Sequence, residues 1–204
     1  DINRYNINKN LLKETYVWKE CENSIDLEYL IAASKLALDD SKLEIDDNSI
    51  GMVLAHENPG IDQFLEKAFS LSYEILKKKQ DMSKKQFFQE LYSKCHKSVY
   101  DLQTFMFLFH VGRILGIHGS TLFVNNACAS GLYAIEAASL MIKAGHCKAV
   151  LIAAADCPDI FKYLWFKNLG LYAKDGKIKP FSEEANGIVF GDGGAAIVVE
   201  DFDH

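Results

Sequence analysis

Residues 121–155 read TLFVNNACASGLYAIEAASLMIKAGHCKAVLIAAA. Thr121 to Asn125 is a short β-like run that stops at two asparagines, and Cys128 follows among small residues. Ala129 to Ala144 is apolar almost all round, with Glu136 and Lys143 its only charges. This pattern predicts a helix buried on most sides. Gly145 stands where a C-terminal cap is expected. Lys148 to Ala155 is a continuous apolar run, as in a strand covered on both faces. Strand, helix and strand within about 35 residues make a βαβ unit, hence a parallel pair. The fold class expected is α/β, a mostly parallel sheet flanked by helices.

Outward from this unit the elements are simpler. Ser24 to Asp40 is amphipathic, with Leu27, Leu30, Ile31 and Leu38 on one face and Asp26 placed to cap the start. Ile50 to Ala55 is a short buried strand, ended by the turn residues His56-Glu57-Asn58-Pro59-Gly60. Asp62 to about Gln80 and Ser83 to about Phe109 read as helices. Lys77, Lys78, Lys79, Lys84, Lys85, Lys94 and Lys97 make this region basic, either a solvated surface or a docking patch for an acidic partner. Downstream, Asp175-Gly176 is a turn and Lys179-Pro180-Phe181-Ser182 a connector. Gly187 to Glu200 reads as strand, glycine turn, strand. Gly191, Gly193 and Ala196 fit GxGxxA, but a β-like run follows where a dinucleotide site needs a helix, so a tight turn is the better reading.

The bulk numbers narrow the function classes. The chain has 204 residues, 49% of them hydrophobic, enough for a sizeable core. A net charge of −6 argues against a nucleic-acid binder. No apolar run reaches membrane-spanning length and the start is polar, not secretory. The five cysteines are odd in number and contain no CxxC pair. They read as thiols in a reducing compartment, which points to the cytoplasm. The six histidines are scattered, so no metal-ligand spacing emerges.

Cys128 is the candidate catalytic residue. A sharp strand-to-helix turn lifts a side chain clear of the sheet. The helix N-terminus offers unpaired N–H groups and partial positive charge, which favour a thiolate and can hold an oxyanion. The bland alternative is a buried structural cysteine, the reading given to the other four.

Asn125 to Ala138 resembles the active-site segment of the β-ketoacyl synthases, the condensing enzymes of fatty-acid and polyketide synthesis, where the text is close to DTACSSSLVAI. Val111-Gly112-Arg113-Ile114-Leu115-Gly116-Ile117-His118-Gly119 is similar to the family's LGL.GP segment. Asp175 through Ala195 is similar to its DG..KPFD...DG.V.GEGAG run. Leu27 to Leu43 is a weaker match to the helix ending in ALADAGL. Three ordered motifs over about 90 residues are far more specific than one. The thiolase-like acyl-CoA enzymes share fold and cysteine, but the KPFS segment favours the ketosynthases. There are departures: Asn125-Asn126 replaces Asp-Thr, His56-Glu57-Asn58 stands where GTG is expected, and Asp192 replaces Glu.

The resemblance implies a thiolase-like layered fold, with residues 1–204 as the N-terminal half-domain. It implies that Cys128 takes an acyl group from an acyl carrier protein or coenzyme A thioester. Decarboxylation of a malonyl thioester then gives a carbanion that attacks the acyl-enzyme. The Cys128 N–H is expected in the oxyanion hole. The resemblance further implies a homodimer or heterodimer meeting near Thr121–Asn125, and neither metal nor organic cofactor. In that family two histidines and a lysine complete the site from the second half of a protein about twice this length. None of His56, His96, His110, His118, His146 or His204 lies in a matching motif, and His110 reads as a core histidine. The family's opening strand has no match in Asp1 to Glu20. The chain is therefore expected to be part of a longer protein, or to pair with a chain carrying the rest. Two rivals are a non-condensing, chain-length-factor-like partner subunit, which would typically lack the cysteine, and a cysteine hydrolase, which would need a histidine near Cys128.

Overall fold

The computed structural model describes residues 25–43, 49–56, 61–78, 81–101 and 103–202. In chain order the elements are α1 (Ile25–Ser41), β1 (Ile50–Ala55), α2 (Ile61–Lys78), α3 (Lys84–Asp101), α4 (Thr104–Leu115), β2 (Thr121–Val124), α5 (Ser130–Lys143), β3 (Ala149–Asp156), α6 (Ile160–Asn168) and β4 (Gly193–Glu200). The described residues divide into two compact units, one within 1–59, 99–156 and 193–204, the other within 60–98 and 157–192.

The first unit is built on a four-stranded sheet of order β2-β1-β3-β4. β1 runs parallel to both β2 and β3, while β4 pairs antiparallel with β3. The two strands of the βαβ unit are thus each parallel to β1, which lies between them, rather than paired with each other. The pleat sends alternate residues to opposite faces. Ile50, Met52 and Leu54 of β1 join Ala149, Leu151 and Ala153 of β3 beneath α1 and α4, with Leu30, Ile31, Phe107 and Val111. Val53 and Ala55, with Val150 and Ile152, face Ala134 and Ala138 of α5. Every residue of β1 is buried, as its unbroken apolar text requires. Burying each large side chain of these strands on either face stabilises the sheet by about 1.5–3 kcal/mol.

Two glycines have geometric reasons. Gly145 adopts φ 74° and ends α5, with the N–H of His146 donating to Met141 O and that of Gly145 to Ile142 O. Gly194 lies under α1, where an added Cβ would sit 2.9 Å from Tyr29 Cβ and 3.0 Å from Tyr29 O. Close helix-on-strand packing therefore accounts for this part of GDGG, and the strand β4 that follows rules out the dinucleotide geometry.

Other expectations are corrected. The segment predicted as one helix from Ser83 to Phe109 is two, α3 and α4. Ser83 does start α3, through a reciprocal cap: its N–H donates to Gln86 Oε1 and its hydroxyl accepts the Gln86 N–H. The predicted hairpin over 187–200 holds only in its second half. Ile188 makes an isolated bridge with Tyr172 instead. The helix α5 is not buried on most sides: it buries Ser130, Ala134 and Ala138, while Leu132, Tyr133 and Leu140 are exposed. Apolar text says that a face can be covered, and packing decides which face is. In the second unit, α6 went unread in the sequence; Asp159 caps it by accepting the Lys162 N–H at 2.7 Å.

Candidate active site

Between β2 and α5 the chain turns sharply. Ala127 has φ 50°, a left-handed conformation rare for a residue with a side chain. The turn is braced from the helix: Ser130 Oγ accepts the Asn126 N–H at 2.8 Å and donates to Ala127 O at 2.6 Å. The N–H groups of Ala129 and Ser130 donate back to Asn126 O and Ala127 O. Cys128 sits on this elbow, exposed, two residues before the first residue of α5. The helix has no side-chain cap. Its partial positive end is therefore left to whatever lies beside Cys128.

Cys128 borders a cavity of about 490 Å³ at the carboxyl ends of β1 and β3. Such a crevice is where open parallel sheets bind ligands. Small residues dominate its wall, among them Ala55, Ala154 and Gly194, with His56 and Asp156 as polar members. Gly131 also lines it, and an added Cβ there would meet nothing within 4 Å. This leaves room for a substrate carbonyl beside Cys128. A larger cavity, about 630 Å³, lies in the second unit against Tyr163, Tyr172 and Phe190. It has no cysteine or histidine in its wall, so the smaller cavity is the candidate site.

The sequence missed two residues here. His56 follows β1 directly, buried, and its ring stacks on Phe107 with centroids 4.4 Å apart. His56 Nε2 lies 3.2 Å from Asp26 Oδ2, the two side chains 1% and 9% exposed. That spacing suits an ion pair, but the groups are not aligned as a hydrogen bond: His56 Nε2 and Asp26 Oδ1 have no hydrogen-bond partner among the described residues. Asp26, expected to cap α1, instead points from its first turn to the end of β1. Thirty residues separate the two in sequence, and no local pattern links them.

His110 is buried on α4, edge-on to Phe109, as expected of a core histidine. Cys95 and Cys147 are buried. Burial pushes the Cys147 thiol up from its ordinary value, against a smaller downward pull from a hydrogen bond with the Gly51 backbone. Cys21 and Lys79 lie outside the described residues. Among the described residues no three His, Cys, Asp or Glu side chains gather as a metal site, and no helix is long and apolar enough to cross a membrane.

Residues 27–204 match the family model described as "Beta-ketoacyl synthase, N-terminal domain". Nodulation protein E of Rhizobium leguminosarum bv. trifolii is 34% identical over 97 residues, 47% of this chain and 24% of that protein. Polyketide synthase PksN of Bacillus subtilis is 32% identical over 93 residues, 44% of this chain and 2% of its own length. Among solved structures, a β-ketoacyl synthase from Burkholderia phymatum superposes with a TM-score of 0.63 at 22% identity, covering 88% of this chain and 42% of that one. A type II polyketide ketosynthase in complex with its acyl-carrier protein gives 0.68 at 20% identity, over 89% and 44%. The aligned part is thus a quarter or less of these curated relatives and under half of the solved ketosynthase chains. The fold is the thiolase-like α/β fold of the ketosynthases, and this chain belongs to the β-ketoacyl synthase family, whose N-terminal domain it carries.

Proposed function

We propose that Cys128 is the acyl-accepting nucleophile of a condensing enzyme of the 3-oxoacyl-[acyl-carrier-protein] synthase type. The observation that carries this reading is the place of the thiol: exposed, on a strained elbow at the head of α5, on the wall of the carboxyl-end cavity. The Cys128 sulfur attacks the carbonyl carbon of an acyl thioester and the donor thiol leaves. A malonyl thioester then loses carbon dioxide, and its carbanion attacks the acyl-Cys128 carbonyl and expels the Cys128 thiolate, giving a 3-oxoacyl thioester. The backbone N–H of Cys128 and the N-terminus of α5 stabilise the oxyanion. The histidines that serve decarboxylation come from the C-terminal half, on the same or a second chain.

The acyl donors are carrier-protein or coenzyme A thioesters. An acidic carrier protein docks on the basic region Lys77–Lys97, a reading supported by the run of lysines and by the carrier complex of a structural neighbour. A homodimer or heterodimer forms through β2, supported by that strand's place at the edge of the sheet. Thiols at Cys95, Cys128 and Cys147 fit a reducing compartment, and we place the protein in the cytoplasm.

The test is covalent acylation by a short acyl thioester of N-acetylcysteamine, followed by intact mass and peptide mapping. The expected adduct lies on Cys128 and is absent from Cys128→Ala. Equal labelling of Cys128→Ala would show the assignment wrong. Carrier-protein binding without any adduct would replace this reading with a non-condensing partner subunit. Charge reversal of Lys77–Lys79 is expected to weaken carrier binding, and unchanged affinity removes the docking face.

A further inference from the structure

We infer that Asp156 is a specificity-determining residue for the acyl group that Cys128 accepts. Its carboxylate favours acyl groups that carry an O–H or N–H donor and disfavours those that end in a carboxylate. This rests on the proposal that Cys128 is the nucleophile. Asp156 is the last residue of β3, half-buried, and lines the Cys128 cavity. The pleat turns it to the same side of the sheet as the elbow. Val150, Ile152 and Ala154 pack in the cluster beneath α5, whose head carries Cys128, and Asp156 follows in the same alternation. His56 instead extends the opposite set, Met52 and Leu54, and turns to Asp26. The Ser130 hydroxyl is committed to Asn126 and Ala127. Asp156 is thus the charged side chain that the cavity wall presents on the Cys128 face.

The space beside it is open. Asp156 pairs with Gly193 across β3 and β4, and directly paired residues share a face. A Cβ at Gly193 would meet nothing within 4 Å, and neither would one at Gly131, close behind Cys128. The cavity therefore has room both next to the thiol and next to the carboxylate. An ionised carboxylate accepts hydrogen bonds at about four positions, so it can serve the fold and a ligand together. A donor on the acyl group gains a charge-assisted hydrogen bond there. A second carboxylate in the same confined space is repelled, because like charges interact strongly away from bulk water.

The experiment compares, in the full protein, acylation of Cys128 by the N-acetylcysteamine thioesters of butyrate, 3-hydroxybutyrate and succinate. The three share a four-carbon chain. Rates are read by intact mass, with Cys128→Ser as the blank. In the wild type, 3-hydroxybutyryl is expected to react about 10-fold faster than butyryl, and succinyl about 10-fold slower. Asp156→Asn, close in size, is expected to remove the penalty on succinyl. Asp156→Ala is expected to remove the preference for 3-hydroxybutyryl as well. Circular dichroism checks the folding of both variants. Equal rates for the three thioesters in the wild type overturn the inference and need no variant. Wild-type ratios kept in Asp156→Ala overturn it too. Failure of the nucleophile reading looks different: none of the three acyl groups is taken up by wild-type Cys128, and the inference falls with it.

Discussion

The hydroxyl of Ser130 accepts the backbone N–H of Asn126 at 2.8 Å, so the first residue of α5 holds the strand side of the elbow on which Cys128 rides. Ser130→Ala takes its partner from that part-buried N–H and also removes the donor to Ala127 O. The expected loss is about 0.5–1.5 kcal/mol. It should appear in urea melts as a lower midpoint at unchanged slope. Acylation of Cys128 should slow as well, because the elbow is no longer held.

Ala127 carries the strain of the turn at φ 50°. Ala127→Gly is expected to fold with stability within about 1 kcal/mol of wild type, since relief of strain offsets the freer unfolded chain. Ala127→Val places a β-branched side chain in the left-handed region and should cost about 1–3 kcal/mol. Thermal melts of the pair check both signs, and a tolerated valine would show that the turn is not strained in solution.

Gly194 and Gly191 belong to one glycine-rich stretch but differ in surroundings. A Cβ at Gly194 meets the Tyr29 backbone, whereas one at Gly191 meets nothing within 4 Å. Gly194→Ala is expected to lose about 1–3 kcal/mol by pushing α1 off β4. Gly191→Ala should stay within about 0.5 kcal/mol. Equal effects in denaturant melts would contradict the packing account.

Cys147 and Cys128 should separate cleanly in thiol chemistry. Cys147 is buried and its thiol is raised by desolvation, so at neutral pH it stays protonated and shielded. Brief iodoacetamide treatment at pH 7 is expected to label Cys128 and spare Cys147, as read by peptide mass. The raised folded value also gives the sign of its linkage. Its contribution to stability is present below the unfolded thiol value and is lost as pH rises through the folded one. Cys147→Ser should therefore flatten the fall in stability on the alkaline side.

Much of the fold was legible because it is written in local pattern. The runs at 50–55 and 148–155 are too uniformly apolar for anything but strands covered on both faces, and they are β1 and β3. Gly145 closes α5 and Ser83 opens α3, because caps are local hydrogen-bond chemistry. Ile188 misled, because its alternation resembles a strand while its backbone bonds go to Leu171 and Ala173. The aromatic text of Ile160–Asn168 lacks an amphipathic stripe, since none of its residues is buried, and the helix passed unread.

What the sequence alone determined is the chemistry that local order encodes: a thiol at a strand-to-helix joint, parallel strands around it, and the family motifs. What only the tertiary structure decided is adjacency. Strand order places β1 between β2 and β3, and that brings His56, at the end of β1, to the wall of the Cys128 cavity. The fold of α1 over the sheet then delivers Asp26 to within 3.2 Å of His56. Neither encounter leaves a local signature, because groups far apart in the chain meet only through the burial of the apolar faces that carry them.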